Sequence, residues 1–204
     1  MEATRKDKGM QVQVEVKERE KEILAVAAQL FAQEGFETVA VRNIAEAVGL
    51  SKATLYHYFK DKDEIYARIV IDTMEKICLY VEGRVAGAGS NRERLVIFME
   101  ANATFFEENI WTATALLLGL GGLNQPHQRE KVAYWRDRHE QNLRKIIRDG
   151  IAAGEFRPVN PAVAGRAILS TLNWMGRWYK PDGPTRAHEF ALEYADLFLG
   201  GLVA

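Results

Sequence analysis

The sequence of 204 residues has little cysteine and little proline, and each shortage excludes a class of protein. The single cysteine, Cys78, cannot form an intramolecular disulfide, and the four histidines are dispersed, so neither a disulfide framework nor a metal site is expected. None of the five prolines precedes Pro126, which leaves a long stretch in which helices can run without interruption. These features favour a reduced, intracellular, all-α protein in which Cys78 is a small buried residue.

Long hydrophobic runs and an excess of one charge are also missing. The longest apolar stretch, Ile110 to Leu123, contains two threonines and three glycines and is shorter than the roughly 20 residues that a membrane span needs. The first 19 residues are charged and polar, unlike a secretion signal. The net charge is −1, so the chain as a whole shows no preference for polyanions. We expect a cytoplasmic protein without a membrane partner, in which any charged function is local.

Apolar residues recur with the 3.6-residue period of helices from Lys17 onward. The segment 1–16 lacks this period and predicts a flexible N-terminal arm. Two short helical patterns follow between residues 41 and 59, where Gly49 permits a tight turn and Ser51 can cap the second helix. Two helices of about seven residues joined in this way form a helix-turn-helix.

The outward face of the second short helix has the chemistry of a DNA-contacting surface. It carries a small residue, hydrogen-bonding groups and a cation, but no acid: Ala53, Thr54, Tyr56, His57 and Lys60. Threonine can read a base edge in the major groove, while lysine and tyrosine reach phosphates. Residues 38–62 hold four cations and two anions, so this stretch is basic within a chain that is nearly neutral.

The run IAEAVGLSKATLYHYFKDKDEIY, preceded by FAQEGFETVAVRNIA, resembles the DNA-binding domain of the TetR/AcrR family of transcriptional regulators over about residues 18 to 66. The resemblance implies an all-α protein of about nine helices, with a three-helix DNA-binding domain over 17–62 and a larger ligand-binding and dimerisation domain over 63–204. It implies a homodimeric regulator, most simply a repressor, that binds a palindromic double-stranded operator and has no catalytic residue, cofactor or metal.

The DNA-contacting positions that the resemblance implies lie on and around the two short helices: Thr38, Arg42, Ser51, Lys52, Ala53, Thr54, Tyr56, His57, Tyr58, Lys60 and Lys62. Val41 departs from the family pattern, which often has threonine there, and this leaves the cap of the first short helix in doubt. Tyr58 could instead pack against the helix before the motif, and Lys62 could simply be solvated.

The resemblance places the dimer contact on the last two helices, which carry more apolar surface than a solvent-facing pair needs. The candidates are Ile168, Leu169, Leu172, Phe190, Tyr194, Leu197 and Phe198. The effector pocket is expected among aromatic and amphipathic residues of the middle helices: Phe98, Asn102, Phe105, Phe106, Trp111, Trp135, His139, Asn173, Trp174, Arg177 and Trp178. Closure of the monomer core is the alternative for every residue in both sets.

The run NWMGRWYKPDGP, followed by YADLFLGGL, is similar to regulators of fatty-acid or aromatic-acid breakdown that respond to acyl-CoA thioesters, so we expect an acyl-CoA or fatty-acid effector that acts through the long fourth helix. Three alternatives are a repressor of multidrug efflux, a helical binding or interaction protein without operator binding, and an enzyme. The enzyme alternative rests on the glycine-rich run 119–124, which lacks the last glycine and the preceding strand of a dinucleotide motif.

Overall fold

The computed structural model describes the backbone of residues 2–117 and 123–202 and the side chains of residues 14–117 and 123–201. Within these ranges the chain forms nine helices and no strand, which confirms the all-α prediction. They are α1 (Glu2–Glu34), α2 (Val41–Ala47), α3 (Lys52–Leu55), α4 (Lys62–Val85), α5 (Asn91–Glu108), α6 (Ile110–Leu117), α7 (Pro126–Ala152), α8 (Pro161–Trp178) and α9 (Ala187–Leu202). None of the described helices is long and apolar enough to cross a membrane.

Most of the glycine-rich run 119–124 lies outside the described residues. The segment 1–16, expected to be an arm, has a helical backbone from Glu2 onward, where α1 begins. An apolar period indicates a helix that packs against a core. A segment without this period can still be helical, because residues such as Glu, Lys and Gln favour the helical backbone. Val14 and Val16, within this segment, are exposed.

Local sequence signals position the ends of several helices. Gly35, after α1, has a φ of +87°, in the left-handed region that favours glycine. Asp61 caps α4 by accepting a hydrogen bond from the Glu64 N–H at 2.7 Å. Asn160 caps α8 by accepting from the Ala162 N–H at 2.9 Å, directly before a proline in the first turn.

Two hydrophobic cores form, and α4 contributes to both. The first core joins α1, α2, α3 and the N-terminal half of α4, where Ile65 and Val70 are fully buried. The second core joins α5, α7, α8 and α9 and takes Val81 from the C-terminal half of α4. A shift of α4 relative to the second core therefore moves the first core with it.

The larger set of helices also touches the first core directly. Tyr66, on α4, donates a hydrogen bond from its hydroxyl to the Ala115 carbonyl of α6 at 2.9 Å. Ala115, Leu123 and Val132 are themselves buried in the first core. The start of α7 and helix α6 thus form a second connection to the N-terminal unit.

The close packing at the end of α7 gives a stability prediction. A Cβ added to Gly150 would lie 2.2 Å from Cδ2 of the Phe156 ring, which is 2% exposed. We expect Gly150→Ala to lower the free energy of unfolding by about 1–3 kcal/mol in urea denaturation, because the buried ring must move. Gly83→Ala in α4 is the control, since nothing lies within 4 Å of its Cβ position; it is expected to be neutral or stabilising by about 0.5–1 kcal/mol. Equal effects would contradict this description.

Candidate nucleic-acid interface and effector cavity

The turn between α2 and α3 has the geometry of a helix-turn-helix. Gly49 adopts a φ of +68°, which only glycine takes without strain. The Ser51 hydroxyl caps α3 by accepting from the Thr54 N–H at 3.0 Å, as the sequence predicts. Arg19 of α1 donates to the Val48 carbonyl at 2.9 Å and so attaches the turn to the first helix.

Helix α3 is shorter than predicted, because only Lys52–Leu55 is α-helical. The chain then tightens into turns, in which the His57 N–H donates to the Thr54 carbonyl at 3.1 Å and the Tyr58 N–H to the Leu55 carbonyl at 3.0 Å. The tighter winding carries Phe59 into the first core, where it is 5% exposed. A regular helical wheel therefore describes this segment only over its first turn.

The outward face nevertheless contains the predicted side chains. The exposed residues of this segment are Ser51, Lys52, Ala53, Tyr56, His57 and Lys60. Thr54 is half-buried, and its hydroxyl is 2.7 Å from that of Ser51. The Lys52 ammonium lies 5.7 Å from the centroid of the Tyr56 ring. The surface therefore offers two lysines, an imidazole and a phenol with no carboxylate among them.

The two predicted contacts near α2 are exposed but differ in their surroundings. Thr38 lies in the loop before α2. Arg42 forms an ion pair with Glu46 at 2.6 Å, and this hydrogen bond raises the pKa of Arg42. Because both side chains are well exposed, the pair is weak, and Arg42 can exchange Glu46 for a phosphate at little cost.

Lys62 and Tyr58 are explained by contacts within the chain. The Lys62 ammonium donates to the Phe36 carbonyl at 2.7 Å and lies 4.2 Å from the Phe36 ring centroid. It therefore fastens the loop after α1, and its assignment as a DNA contact remains a prediction. Tyr58 is half-buried and packs against the first core, the alternative that the sequence left open.

The doubt about the cap of α2 is resolved by a residue further along the helix. Ala40 occupies the cap position and has no side-chain acceptor. Instead, the Asn43 carboxamide oxygen accepts from the Ala40 N–H at 2.8 Å, which satisfies one backbone donor from inside the helix. Val41 in place of threonine is therefore compatible with a formed α2.

A cavity of about 420 Å³, here called the central cavity, lies between α4, α5, α6, α7 and α8. Its walls are mostly apolar, with Met74, Ile77 and Phe106 among them. Arg136, Glu140 and Arg166 contribute charge where α7 faces α8. The volume is within the range of sites that bind small organic molecules, about 300–1,000 Å³.

The structure divides the predicted pocket residues into three groups. Those that line the central cavity are Asn102, Phe105, Phe106, His139 and Asn173. Trp174 and Arg177, with Asn173, line a neighbouring cavity between α6 and α8. Phe98, Trp111, Trp135 and Trp178 line neither. Phe98 is buried behind His139, and Trp111 is exposed.

Other residues of the cavity wall were absent from the prediction. Thr73 is a polar residue on the buried face of α4, and its place in an apolar stripe was the available signal. Arg136 and Glu140 gave no such signal, because charged residues on a helix are usually solvated.

A buried polar pair, His139 and Asn102, lies in the wall of the central cavity. The Asn102 carboxamide donates to the Phe98 carbonyl at 2.7 Å, so its oxygen faces His139 and accepts from Nε2–H at 2.9 Å. The ring stacks on Phe98 with centroids 5.0 Å apart. Burial lowers the pKa of His139 from its ordinary value of 6.5 to about 4, so the imidazole is neutral at pH 7.

A charge cluster on the opposite side of α7 connects it to α4. Arg138 donates two hydrogen bonds to Glu82, at 2.7 and 2.5 Å, and Asn142 donates a third at 2.6 Å. These contacts, above all the one from Arg138, lower the pKa of Glu82. Cys78 is fully buried beside it, and burial raises the pKa of its thiol to about 12, so it is not a nucleophile.

The residues predicted for the dimer contact do not share one surface. Ile168 and Leu172 are buried inside the chain, which corrects their assignment, whereas Leu169 is half-buried and lines the central cavity. Phe190, Tyr194 and Phe198 are half-buried against the second core. Leu197 is 72% exposed. On α8 the exposed apolar side chains are instead Val163, Trp174 and Trp178.

Comparison with known proteins assigns the chain to a family. Residues 23–69 match the model of bacterial regulatory proteins of the tetR family, and residues 88–202 match a tetracyclin repressor-like C-terminal domain. The chain belongs to the TetR family of transcriptional regulators. Members of this family are DNA-binding regulators and not enzymes, and they bind operator DNA as dimers.

Solved structures and curated relatives are similar over nearly the whole chain. The TetR-family regulator PfmR from Thermus thermophilus is 46% identical, with a TM-score of 0.83 and coverage of 87% of this chain and 97% of that one. The repressor KstR2 from Mycolicibacterium smegmatis is 28% identical over 90% of each chain. AibR, solved with isovaleryl coenzyme A and operator DNA, is 25% identical, with a TM-score of 0.78 and coverage of 91% and 98%.

The buried histidine predicts how the stability of this TetR-family protein depends on pH. Because the pKa of His139 is about 4 in the folded chain and 6.5 when unfolded, the unfolded chain binds the proton first. Stability is therefore lost as the pH falls from about 6.5 towards 4, and His139 accounts for about 2 kcal/mol of the loss between pH 7 and pH 5. Urea denaturation of His139→Gln should show a loss smaller by that amount.

His127→Gln is the matched control, because His127 is exposed on the same helix. It should keep the pH dependence of the wild type. If the two variants and the wild type lost the same stability between pH 7 and pH 5, His139 would not be a buried neutral residue.

Proposed function

We propose that this TetR-family chain is a homodimeric repressor that binds a palindromic operator and is released by a small-molecule effector in the cytoplasm. The observation that carries the proposal is the position of α4, which supplies Thr73, Met74 and Ile77 to the central cavity and Ile65 and Val70 to the core of the DNA-binding unit. An effector that reshapes the cavity acts on the same helix that holds the helix-turn-helix. We place the boundary between the two domains at residue 62, where α4 starts.

The DNA contacts we propose follow from exposure and chemistry. Lys52, Tyr56 and Lys60 reach phosphates. The small side chain of Ala53 allows close approach to the bases, His57 faces the groove, and Thr54, at the margin of this face, reads one base edge. Ser51, Thr38 and Arg42 complete the phosphate contacts at its border. Two such faces in a dimer fit half-sites one helical turn apart, about 34 Å.

We propose that α8 and α9 form the dimer contact through a surface that differs from the sequence prediction. Val163, Trp174 and Trp178 lie at intervals of 11 and 4 along α8, which places them on one face of the helix. Trp178 packs edge-on against Phe190 of α9 with centroids 5.0 Å apart, and Leu197 lies about two turns beyond Phe190. Large apolar residues exposed along neighbouring helices are typical of a subunit interface.

For the effector we propose an acyl-CoA thioester of fatty-acid or aromatic-acid breakdown. The central cavity has the apolar walls that an acyl group needs, and cations lie near its edge. AibR, 25% identical, is solved with isovaleryl coenzyme A and operator DNA, which supports a thioester.

The DNA proposal predicts two different outcomes for two residues. Lys60→Ala should weaken binding to operator and unrelated DNA alike, and should reduce the slope of log affinity against log salt by about one, because one phosphate contact is lost. Thr54→Val should change the preference at one base position and leave the salt slope unchanged. Both are measured by fluorescence anisotropy at several salt concentrations, with a library of operator variants.

Lys131→Ala is the control, because Lys131 is an exposed lysine of α7, outside the helix-turn-helix. It should bind DNA like the wild type. A Lys60 variant with unchanged affinity and salt slope would contradict the proposed face.

The effector proposal predicts reciprocal coupling. Palmitoyl-CoA, octanoyl-CoA or phenylacetyl-CoA should raise the melting temperature and lower operator affinity by about 5–150-fold, and operator should lower the affinity for that thioester by the same factor. Isothermal titration of free and operator-bound protein measures both factors. Equal affinity of every thioester for the two states would contradict release by acyl-CoA, and release by uncharged lipophilic compounds alone would indicate an efflux repressor.

A further inference from the structure

The wall of the central cavity holds two kinds of polar residue. Arg136 and Arg166 are exposed and lie at the edge where α7 faces α8. Thr73, Asn102 and His139 are buried, on α4, α5 and α7. The buried set therefore marks the inner part of the cavity. Because a buried polar group is costly unless it is hydrogen-bonded, each of its members needs a partner in this mostly apolar wall.

Asn102 determines which nitrogen of His139 carries the proton. The Asn102 carboxamide donates to the Phe98 carbonyl at 2.7 Å, which leaves its oxygen as the acceptor 2.9 Å from Nε2 of His139. A neutral imidazole has one proton, and this acceptor holds it on Nε2, so Nδ1 carries a lone pair. Burial lowers the pKa of His139 to about 4, so no second proton is bound at pH 7.

Nδ1 of His139 is an acceptor without a donor. It is closed to solvent, and none of the residues that the structure describes donates a hydrogen bond to it. His139 lies on the face of α7 that lines the central cavity, together with Val132, Arg136 and Glu140, which are seven and three residues before it and one residue after it. A molecule held in the cavity is therefore placed to supply the missing donor.

We infer that His139 selects the effector by accepting, at Nδ1, a hydrogen bond from a hydroxyl on the acyl group of the thioester. A hydroxyl fits because it is neutral and donates, whereas a carboxylate has no proton to donate and an ammonium would bring a charge into an apolar wall. Because His139 lies in the inner part of the cavity, we expect this hydroxyl at the end of the acyl group remote from the thioester. The inference rests on the effector class proposed above and adds which acyl groups the cavity prefers.

The test compares thioesters that differ by one hydroxyl group. The pairs are phenylacetyl-CoA with 4-hydroxyphenylacetyl-CoA, and octanoyl-CoA with 8-hydroxyoctanoyl-CoA. In isothermal titration, wild-type dimer should bind the hydroxylated member of at least one pair about fivefold or more tightly than its partner, because an acceptor replaces the water that the hydroxyl loses. In His139→Phe the members of that pair should bind within about twofold of each other, because a ring still fills the site but the acceptor is absent.

Two variants are the controls. His127→Phe changes an exposed histidine of the same helix and should keep the wild-type preference. Thr73→Val removes the hydroxyl of the other buried polar side chain of the wall at nearly constant shape, and it should also keep the preference. Because the preference is a ratio within each variant, a general loss of affinity does not imitate the expected result.

A second measurement uses the wild-type protein and does not depend on the folding of His139→Phe. Nitrogen-15 NMR with labelled histidine distinguishes a lone-pair nitrogen that accepts a hydrogen bond from one that does not. The His139 signals are those missing from the spectrum of His139→Gln. The hydroxylated thioester should shift the Nδ1 resonance, and its unsubstituted partner should leave it in place, while the proton stays on Nε2 with both ligands.

Three outcomes overturn the inference. If the wild type binds the two members of both pairs equally, the cavity does not select a hydroxyl, although an acyl effector survives. If His139→Phe keeps the preference, if Thr73→Val loses it instead, or if Nδ1 does not respond to the preferred thioester, the hydroxyl binds elsewhere. If the wild type binds no thioester of any kind, the proposed effector class fails and the inference fails with it, which is a distinct result.

Discussion

The structure depends on one constraint: α4 contributes buried side chains to both hydrophobic cores, one at each end of the helix. Its first turns bury Ile65 and Val70 against the helix-turn-helix, and its last turns bury Val81 in the larger domain. Between them, Thr73, Met74 and Ile77 face a cavity. Because close-packed interiors resist continuous deformation, a ligand in that cavity cannot displace α4 without repacking one core or moving the other as a unit. The cavity is thereby coupled to the DNA-binding surface.

Two further contacts restrict how α4 can move. Glu82 is held by Arg138 and Asn142 of α7, which fixes the C-terminal end of α4 to the larger domain. The Tyr66 hydroxyl donates to the Ala115 carbonyl, so α6 contacts the N-terminal unit. Residues of α6 on either side of Ala115 line the central cavity. The N-terminal half of α4 therefore moves most easily together with α6. We place the transmission of an effector signal in this pair of helices and not in α4 alone.

The sequence predicted those features that short-range chemistry determines. Gly49 and Ser51 were assigned correctly because turns and caps depend on residues within four positions. Contacts between residues far apart in the sequence were not predictable. The Lys62 ammonium binds the carbonyl of Phe36, 26 residues earlier. Ile168 is buried by other helices, and the apolar pattern of α8 does not show which helices these are. The tryptophans show the same limit, since aromatic character predicts burial, yet Trp174 is 63% exposed and Trp111 41%. Helical periodicity identifies the buried face of a helix but not the element that packs against it.

The central claim is that an effector in the cavity changes the separation of the two recognition segments in the dimer. Double electron–electron resonance measures this separation directly, between spin labels attached at Glu37→Cys in the two protomers. Glu37 is exposed beside the helix-turn-helix. Because Cys78 is the only native cysteine, a Cys78→Ala background leaves one label site in each protomer. The account predicts that a releasing thioester shifts the distance distribution by several ångströms, roughly the scale of known allosteric helix and subunit movements, and that operator DNA shifts it back. A distribution unchanged by a thioester that releases the operator would contradict it.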